Sequence, residues 1–267
     1  MKVNQGLQMR SLKAGVFAAM FSGLALPTVV AALDLNPPKV TDSTARSITL
    51  RQMPGFEARC FKNSTLRLDS DWANPTKASS DHVTKVEVRN GVEYLTVSAK
   101  VGTNALKFLM ELNADGSIRR VPALVETSIP GFEKEYGPAV SQMMTRLMAG
   151  MGDGFLGQTL EVGKDYGATM NICTVMGAQS SSSPKGKTLL EGTLTYAGRP
   201  GFLVSQTYEQ ECTTNGVRLS VEGSAWSVYD LASNLVMSNA GSFELYAQGT
   251  RFRRTEEFLE CGVTEKK

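Results

Sequence analysis

From residue 48 onward the chain alternates between apolar and polar positions. Residues 83–89 read V-T-K-V-E-V-R, and after Asn90-Gly91 residues 92–99 read V-E-Y-L-T-V-S-A. Such alternation puts successive side chains on opposite faces of a strand. Asn-Gly between two such runs is the strongest short-range hairpin signal, because both turn residues must tolerate positive φ. The same pattern predicts a hairpin from 108–113 through Asp115-Gly116 to 118–121, and another from 206–213 through Asn215-Gly216 to 217–229. A turn at 230–234 leads into a strand at 235–237, and residues 243–246, Gln248-Gly249 and 250–259 form a last hairpin. The whole reads as antiparallel sheet with one buried and one wetted face.

One segment changes period. Val140, Met143, Met144, Leu147, Met148 and Met151 recur at i, i+3, i+4, i+7, i+8 and i+11. That stripe predicts an amphipathic helix over 138–151, opened by Pro138 and ended by Gly150, Gly152 and Gly154. Methionine is unbranched and polarizable and suits adaptable apolar surfaces. The stripe therefore has two readings: a plug packed on the sheet, or the wall of an apolar cavity, with these six residues as its ligand-facing side. The expected fold is mainly β: a curved antiparallel sheet or half-barrel of hairpins with one central amphipathic helix. Residues 47–263 form a single β-rich domain. Its halves, 47–130 and 158–263, share the step Asn-Gly-Val, at Asn90-Gly91-Val92 and Asn215-Gly216-Val217.

The first residues follow a different logic. Lys2, Arg10 and Lys13 precede an apolar run, 14–26, which Pro27 breaks, and Val30-Ala31-Ala32 supplies small residues for cleavage. This is the order of a signal peptide over residues 1–32, and the run is shorter than the ~20 residues a spanning helix needs. The expected mature chain begins near Leu33 with a Pro-rich, flexible lead-in over 33–46, carries no transmembrane segment, and is soluble in a bacterial periplasm or secreted. The leader holds three of the 28 Lys and Arg and none of the 26 Asp and Glu, so the remainder is close to neutral. That argues against a nucleic-acid partner, which calls for a clear basic excess. Arg251-Phe252-Arg253-Arg254 alternates with apolar residues and reads as the solvated face of a strand rather than an anion site.

Four cysteines, Cys60, Cys173, Cys212 and Cys261, are an even count in a chain with an export leader, which favours two disulfides. Three pairings are open; Cys173 with Cys212 and Cys60 with Cys261 are favoured, the second because it ties the start of the sheet to the chain end. No cysteine pair has zinc-site spacing. No cofactor, metal or catalytic constellation is expected. The single histidine, His82, follows Ser79-Ser80-Asp81 and reads as a surface loop residue. Ser182-Ser183-Pro184-Lys185 matches the S-x-x-K pattern, but S-D-N and K-T-G are lacking, and Gly186-Lys187-Thr188 lacks the glycine a phosphate loop needs. Asp69-Ser70-Asp71 reads as a turn, and residues 177–187, GAQSSSSPKGK, as a flexible polar loop.

Two local patterns carry a resemblance. They are Leu160-Glu161-Val162-Gly163-Lys164-Asp165-Tyr166, and Ser227-Val228-Tyr229-Asp230-Leu231 turning into Leu235-Val236-Met237-Ser238. They resemble secreted bacterial β-rich proteins with a duplicated half-barrel, an architecture similar to that of periplasmic lipoprotein carriers. The resemblance implies a curved sheet holding an apolar cavity under helices. The expected function is that of an exported, non-enzymatic cell-envelope protein binding an apolar small molecule or an envelope protein partner in the concave sheet face. The alternatives are a structural or interaction protein with a filled core, and a hydrolase built on carboxylates.

Overall fold

The computed structural model describes residues 35–44, 47–120, 123–132, 134, 137, 138, 140, 142, 145, 146 and 156–266. The fold is mainly β, antiparallel and not closed into a barrel. The strands are β1 (Ser47–Thr49), β2 (Phe56–Leu68), β3 (Thr76–Arg89), β4 (Val92–Val101), β5 (Asn104–Glu111), β6 (Ala123–Thr127), β7 (Thr159–Glu161), β8 (Gln179–Ser180), β9 (Lys185–Tyr196), β10 (Arg199–Thr214), β11 (Val217–Asp230), β12 (Val236–Ala247) and β13 (Thr250–Glu265). Eleven of them form one sheet in the order β6-β5-β4-β3-β2-β13-β12-β11-β10, with β8 and β9 both pairing β10; β1 and β7 form a separate pair. Two meanders therefore meet where the first long strand, β2, pairs with the last, β13.

Local chemistry explains the hairpins. Asn90-Gly91, Asn215-Gly216 and Gln248-Gly249 all have both residues at positive φ, the mirror-image turn whose twist matches that of the strands. Ala197-Gly198 does the same between β9 and β10, with Ala197 at φ 46°. This hairpin was not anticipated, because alanine is not a turn residue by composition. The turn at 113–117 forms as expected and Leu112 bridges Ile118, but the strand that returns along β5 is Ala123–Thr127 rather than 118–121. Asp69–Asp71 is a single turn of 3₁₀ helix between β2 and β3, with Asn74 Nδ2 donating to Asp71 Oδ1.

Of the helix expected over 138–151, residues 138, 140, 142, 145 and 146 are helical, as are 132, 134 and 137 before it. Val140 is buried while Gln142 and Thr145 are exposed, the polarity the stripe calls for. Met143, Met144, Leu147, Met148 and Met151 lie outside the described residues. A second, short helix, Ile172–Met176, was not anticipated. Asn171 caps its start by accepting from the Thr174 amide, and Gly177 in the left-handed conformation ends it.

Directly opposed residues in a sheet share a face, so the registers define two. The inner face carries Phe202, Val204, Gln206, Tyr208 and Gln210 on β10 and their partners across β11 and β12. Leu50 and Leu160, from β1–β7 and its flank, pack on Leu190, Phe202 and Val204. Ile172 and Cys173 pack on Cys212, Val221 and Leu245. Residues 35–44 do not hang free as a flexible lead-in would. Leu35 and Val40 pack on the cluster containing Trp226, the Trp226 Nε1–H donates to Leu35 O at 2.9 Å, and Asp42 bridges Thr193. A docked strand-like segment satisfies its backbone against the sheet, and Pro and polar content do not prevent that.

Candidate functional site: a cavity on the inner face

Two central rows of the inner face carry small residues, Ala225, Gly241 and Gly223, between larger ones. Gln206, Ala225, Gly241, Glu257 and Ser64 lie side by side across five strands. Tyr208, Gly223, Phe243 and Thr255 form the next row. The outer end of the Tyr208 ring lies over Gly223, where any side chain would collide with it. Gly241 and Ala225 leave the floor hollow, and Thr169 and Met170 close over it, leaving a cavity of about 220 Å³. Its walls are mixed: Met170, Ala225 and Phe243 are apolar, while Gln206, Asn239 and Glu257 are polar.

Polar partners fix the walls. Gln206 Nε2 donates to Thr169 Oγ1 at 3.1 Å, which ties the roof to the sheet. Asn239 Nδ2 donates to Trp226 O at 3.0 Å and Ser227 Oγ at 2.8 Å. Lys62, on β2, reaches Glu257 on β13 with Nζ–Oε1 2.9 Å. Burial pushes the Tyr208 phenol well above its ordinary pKa, with Glu257 adding to the effect, so the hydroxyl stays a neutral donor.

His82 requires a correction. It sits inside β3, directly opposite Cys60 on the inner face, not in a surface loop. Its Nε2 and Ser80 Oγ are 2.7 Å apart. Burial first, and then the Lys62 charge, lower its pKa against the opposing pull of Asp81 and Glu257, so the ring is neutral at physiological pH. The run Ser79-Ser80-Asp81 resembles a loop by composition, but alternation continues through it.

Residues 177–187 are also not a flexible loop. Gln210, almost fully buried on β10, donates from Nε2 to Asn171 Oδ1, Ser180 Oγ and Ser182 O, and its Oε1 accepts from the Cys173 amide. The Glu211 amide donates to Ser182 Oγ, and Lys185 begins β9. One glutamine thus holds the serine run against the strand. Ser182 has no lysine helix partner, and Gly186-Lys187-Thr188 lies in β9 and forms no phosphate cradle.

The cysteines pair as favoured. Cys60–Cys261 joins β2 to β13 with Cα atoms 3.9 Å apart, and Cys173–Cys212 joins the short helix to β10 with Cα atoms 5.4 Å apart. Among the described residues, no group of three or more His, Cys, Asp or Glu side chains is placed to hold a metal ion, and no helix is long and apolar enough to cross a membrane. Of the six stripe residues, only Val140 can be placed, and it is buried. Sequence reasoning missed Gln206, Tyr208, Asn239 and Glu257. They come from three different strands and share no motif.

No family model matches this chain, and no curated protein matches it. The class defined by its geometry is an open, antiparallel β protein with a small cavity of mixed polarity on one covered sheet face.

Proposed function

We propose that this is an exported, non-enzymatic protein of the bacterial cell envelope that binds a small apolar or amphipathic molecule on the inner sheet face. The observation that carries the reading is the cavity of about 220 Å³ under Thr169 and Met170, floored by Ala225 and Gly241. Binding sites combine apolar walls with a few fixed polar groups, and this cavity has both. Export is supported by the basic-then-apolar leader and by two disulfides, which persist in oxidising compartments. A structural role with a filled interior is the second reading. It is favoured by the apolar clusters around Leu160 and Ile172, which occupy the same face on either side of the cavity.

Native mass spectrometry of protein purified gently from its own host separates the two. The expected result is an adduct that is released on denaturation and absent from Ala225→Leu, which fills the floor. A single unliganded mass, with Ala225→Leu as stable as the parent or more so, would sink the binding reading and leave the filled interior.

A further inference from the structure

The Arg251-Phe252-Arg253-Arg254 run does not form a single solvated face. Arg251 and Arg254 pair with Glu244 on the outer face, and Arg254 also with Glu256. Arg253 lies on the inner face, opposite Leu245 on one side and Leu68 on the other. Among the described residues it has no carboxylate at ion-pair distance. Its Nε donates to Thr255 Oγ1 at 3.4 Å, and its guanidinium carbon stands 5.8 Å from the centre of the Phe243 ring. A guanidinium has five N–H donors, so most of its capacity is unused. Burial lowers its pKa, opposed by Glu257. It nonetheless stays charged, as arginine does in proteins.

Tyr208 approaches the same place from the other side. Its ring extends from β10 across Gly223, and its hydroxyl makes one long contact, 3.4 Å, with Ser242 O on β12. Tyr208, Phe243 and Glu257 line the cavity, and Arg253 stands against the ring of that same Phe243. Glu257 is already neutralised by Lys62. Arg253 therefore leaves one uncompensated positive charge against the Phe243 wall of the cavity that the neutral Tyr208 also lines.

We propose that the cavity takes the carboxylate of a monoanionic amphiphile. Arg253 and Tyr208 hold the head group, and the apolar body lies along Met170, Ala225 and Phe243. The inference rests on the binding function proposed above and names its ligand class. A single surplus positive charge selects a monoanion over a cation or a neutral molecule, and a partly desolvated guanidinium binds a carboxylate with charge-assisted hydrogen bonds.

Calorimetric titration of the full chain with octanoate, octan-1-ol and octyltrimethylammonium tests this. Octanoate should bind at least about tenfold more tightly than octan-1-ol, the factor a single charge-assisted hydrogen bond supplies. The ammonium should bind most weakly. Arg253→Gln should erase the preference for octanoate over octan-1-ol, while Arg253→Lys keeps part of it. If Arg253→Gln does not fold, Tyr208→Phe serves instead and should reduce the preference several-fold. Equal binding of octanoate and octan-1-ol would overturn the head-group assignment and leave the binding function standing. Failure of all three probes to bind would overturn both.

Discussion

Replacing Asp230 by alanine probes a buried charge network that sets the β11–β12 connection. The carboxylate is almost fully buried and accepts from Arg199 Nε at 2.7 Å, the Ser233 amide at 2.9 Å and Ser233 Oγ at 2.7 Å. Ser233 is itself fully buried and also receives the Leu235 amide on its Oγ, while its carbonyl accepts from Met53. Removing the carboxylate leaves two buried donors on Ser233 without an acceptor, at about 1–3 kcal/mol each. Arg199 is more than a third exposed and rehydrates at little cost. The expected loss is about 3–4 kcal/mol, within the range for breaking a buried pair. Asp230→Asn keeps one acceptor toward Ser233 and should lose about half as much. Urea unfolding at neutral pH should show a lower midpoint with an unchanged m-value. Burial raises the Asp230 pKa, but the Arg199 and Ser233 hydrogen bonds together outweigh it, and the folded-state value lies below the ordinary 3.8. The contribution is therefore complete above about pH 4 and fades as pH falls through the lower folded value, so parent and Asp230→Asn should converge in acid. A loss below about 1 kcal/mol for Asp230→Ala at neutral pH would refute the reasoning, since it would mean that Ser233 finds other partners.

The remaining expectations follow from single contacts. Glu87, between Lys85 and Arg89 on one strand face, has its pKa drawn down to about 2, chiefly by the hydrogen bond from Lys85 and then by that from Arg89. Its contribution is present above its ordinary 4.5 and lost as pH falls toward 2, so Glu87→Gln should flatten the acid limb of stability between these values. Alanine at both Cys173 and Cys212, 39 residues apart, should cost about 4 kcal/mol on a chain-entropy basis, and at both Cys60 and Cys261, 201 apart, about 5 kcal/mol; denaturant midpoints in that reverse order would contradict it. Ala197→Asn relieves a left-handed residue at φ 46° and should raise stability by about 0.5–1 kcal/mol; a lower melting temperature would count against the assigned turn. Trp226→Phe removes the donor to Leu35 O and should cost about 1–2 kcal/mol and leave residues 35–44 open to proteolysis.

How much of this was legible depends on distance along the chain. The Asn90-Gly91 and Asn215-Gly216 hairpins could be read because turn chemistry is local. Ala197-Gly198 could not, because the tertiary pairing of β9 with β10 holds alanine at a φ it does not choose for itself. The short helix did leave a trace, Asn171 ahead of Ile172 and Gly177 behind Met176, but five residues give too little periodicity to outweigh the surrounding strands. The serine run looked mobile because composition reports only its polarity. Its order comes from Gln210, about thirty residues away. His82 was misplaced for the same reason: three polar residues before it masked a strand whose alternation is set by its partners on β2 and β4.

The candidate site was hidden for a topological reason. Strand order places β2 against β13, so Lys62 meets Glu257, and Cys60 meets Cys261, only when the two ends of the fold come together. Arg253 faces inward in one register with Thr255 and Glu257, while a register shift between Leu245 and Tyr246 puts Arg251 on the other side with Arg254 and Glu244. Read along the chain, the four residues 251–254 are one basic run. In the sheet they include two ion-paired outer arginines and one inner cation, with the nearby Glu257 already taken by Lys62. A spacing motif cannot encode such an arrangement, because the residue that decides it lies nearly two hundred positions away. The same joint that the Cys60–Cys261 bond locks also assembles the charge imbalance beside the cavity, so the stability of the joint and the ligand preference proposed for the cavity have one structural origin.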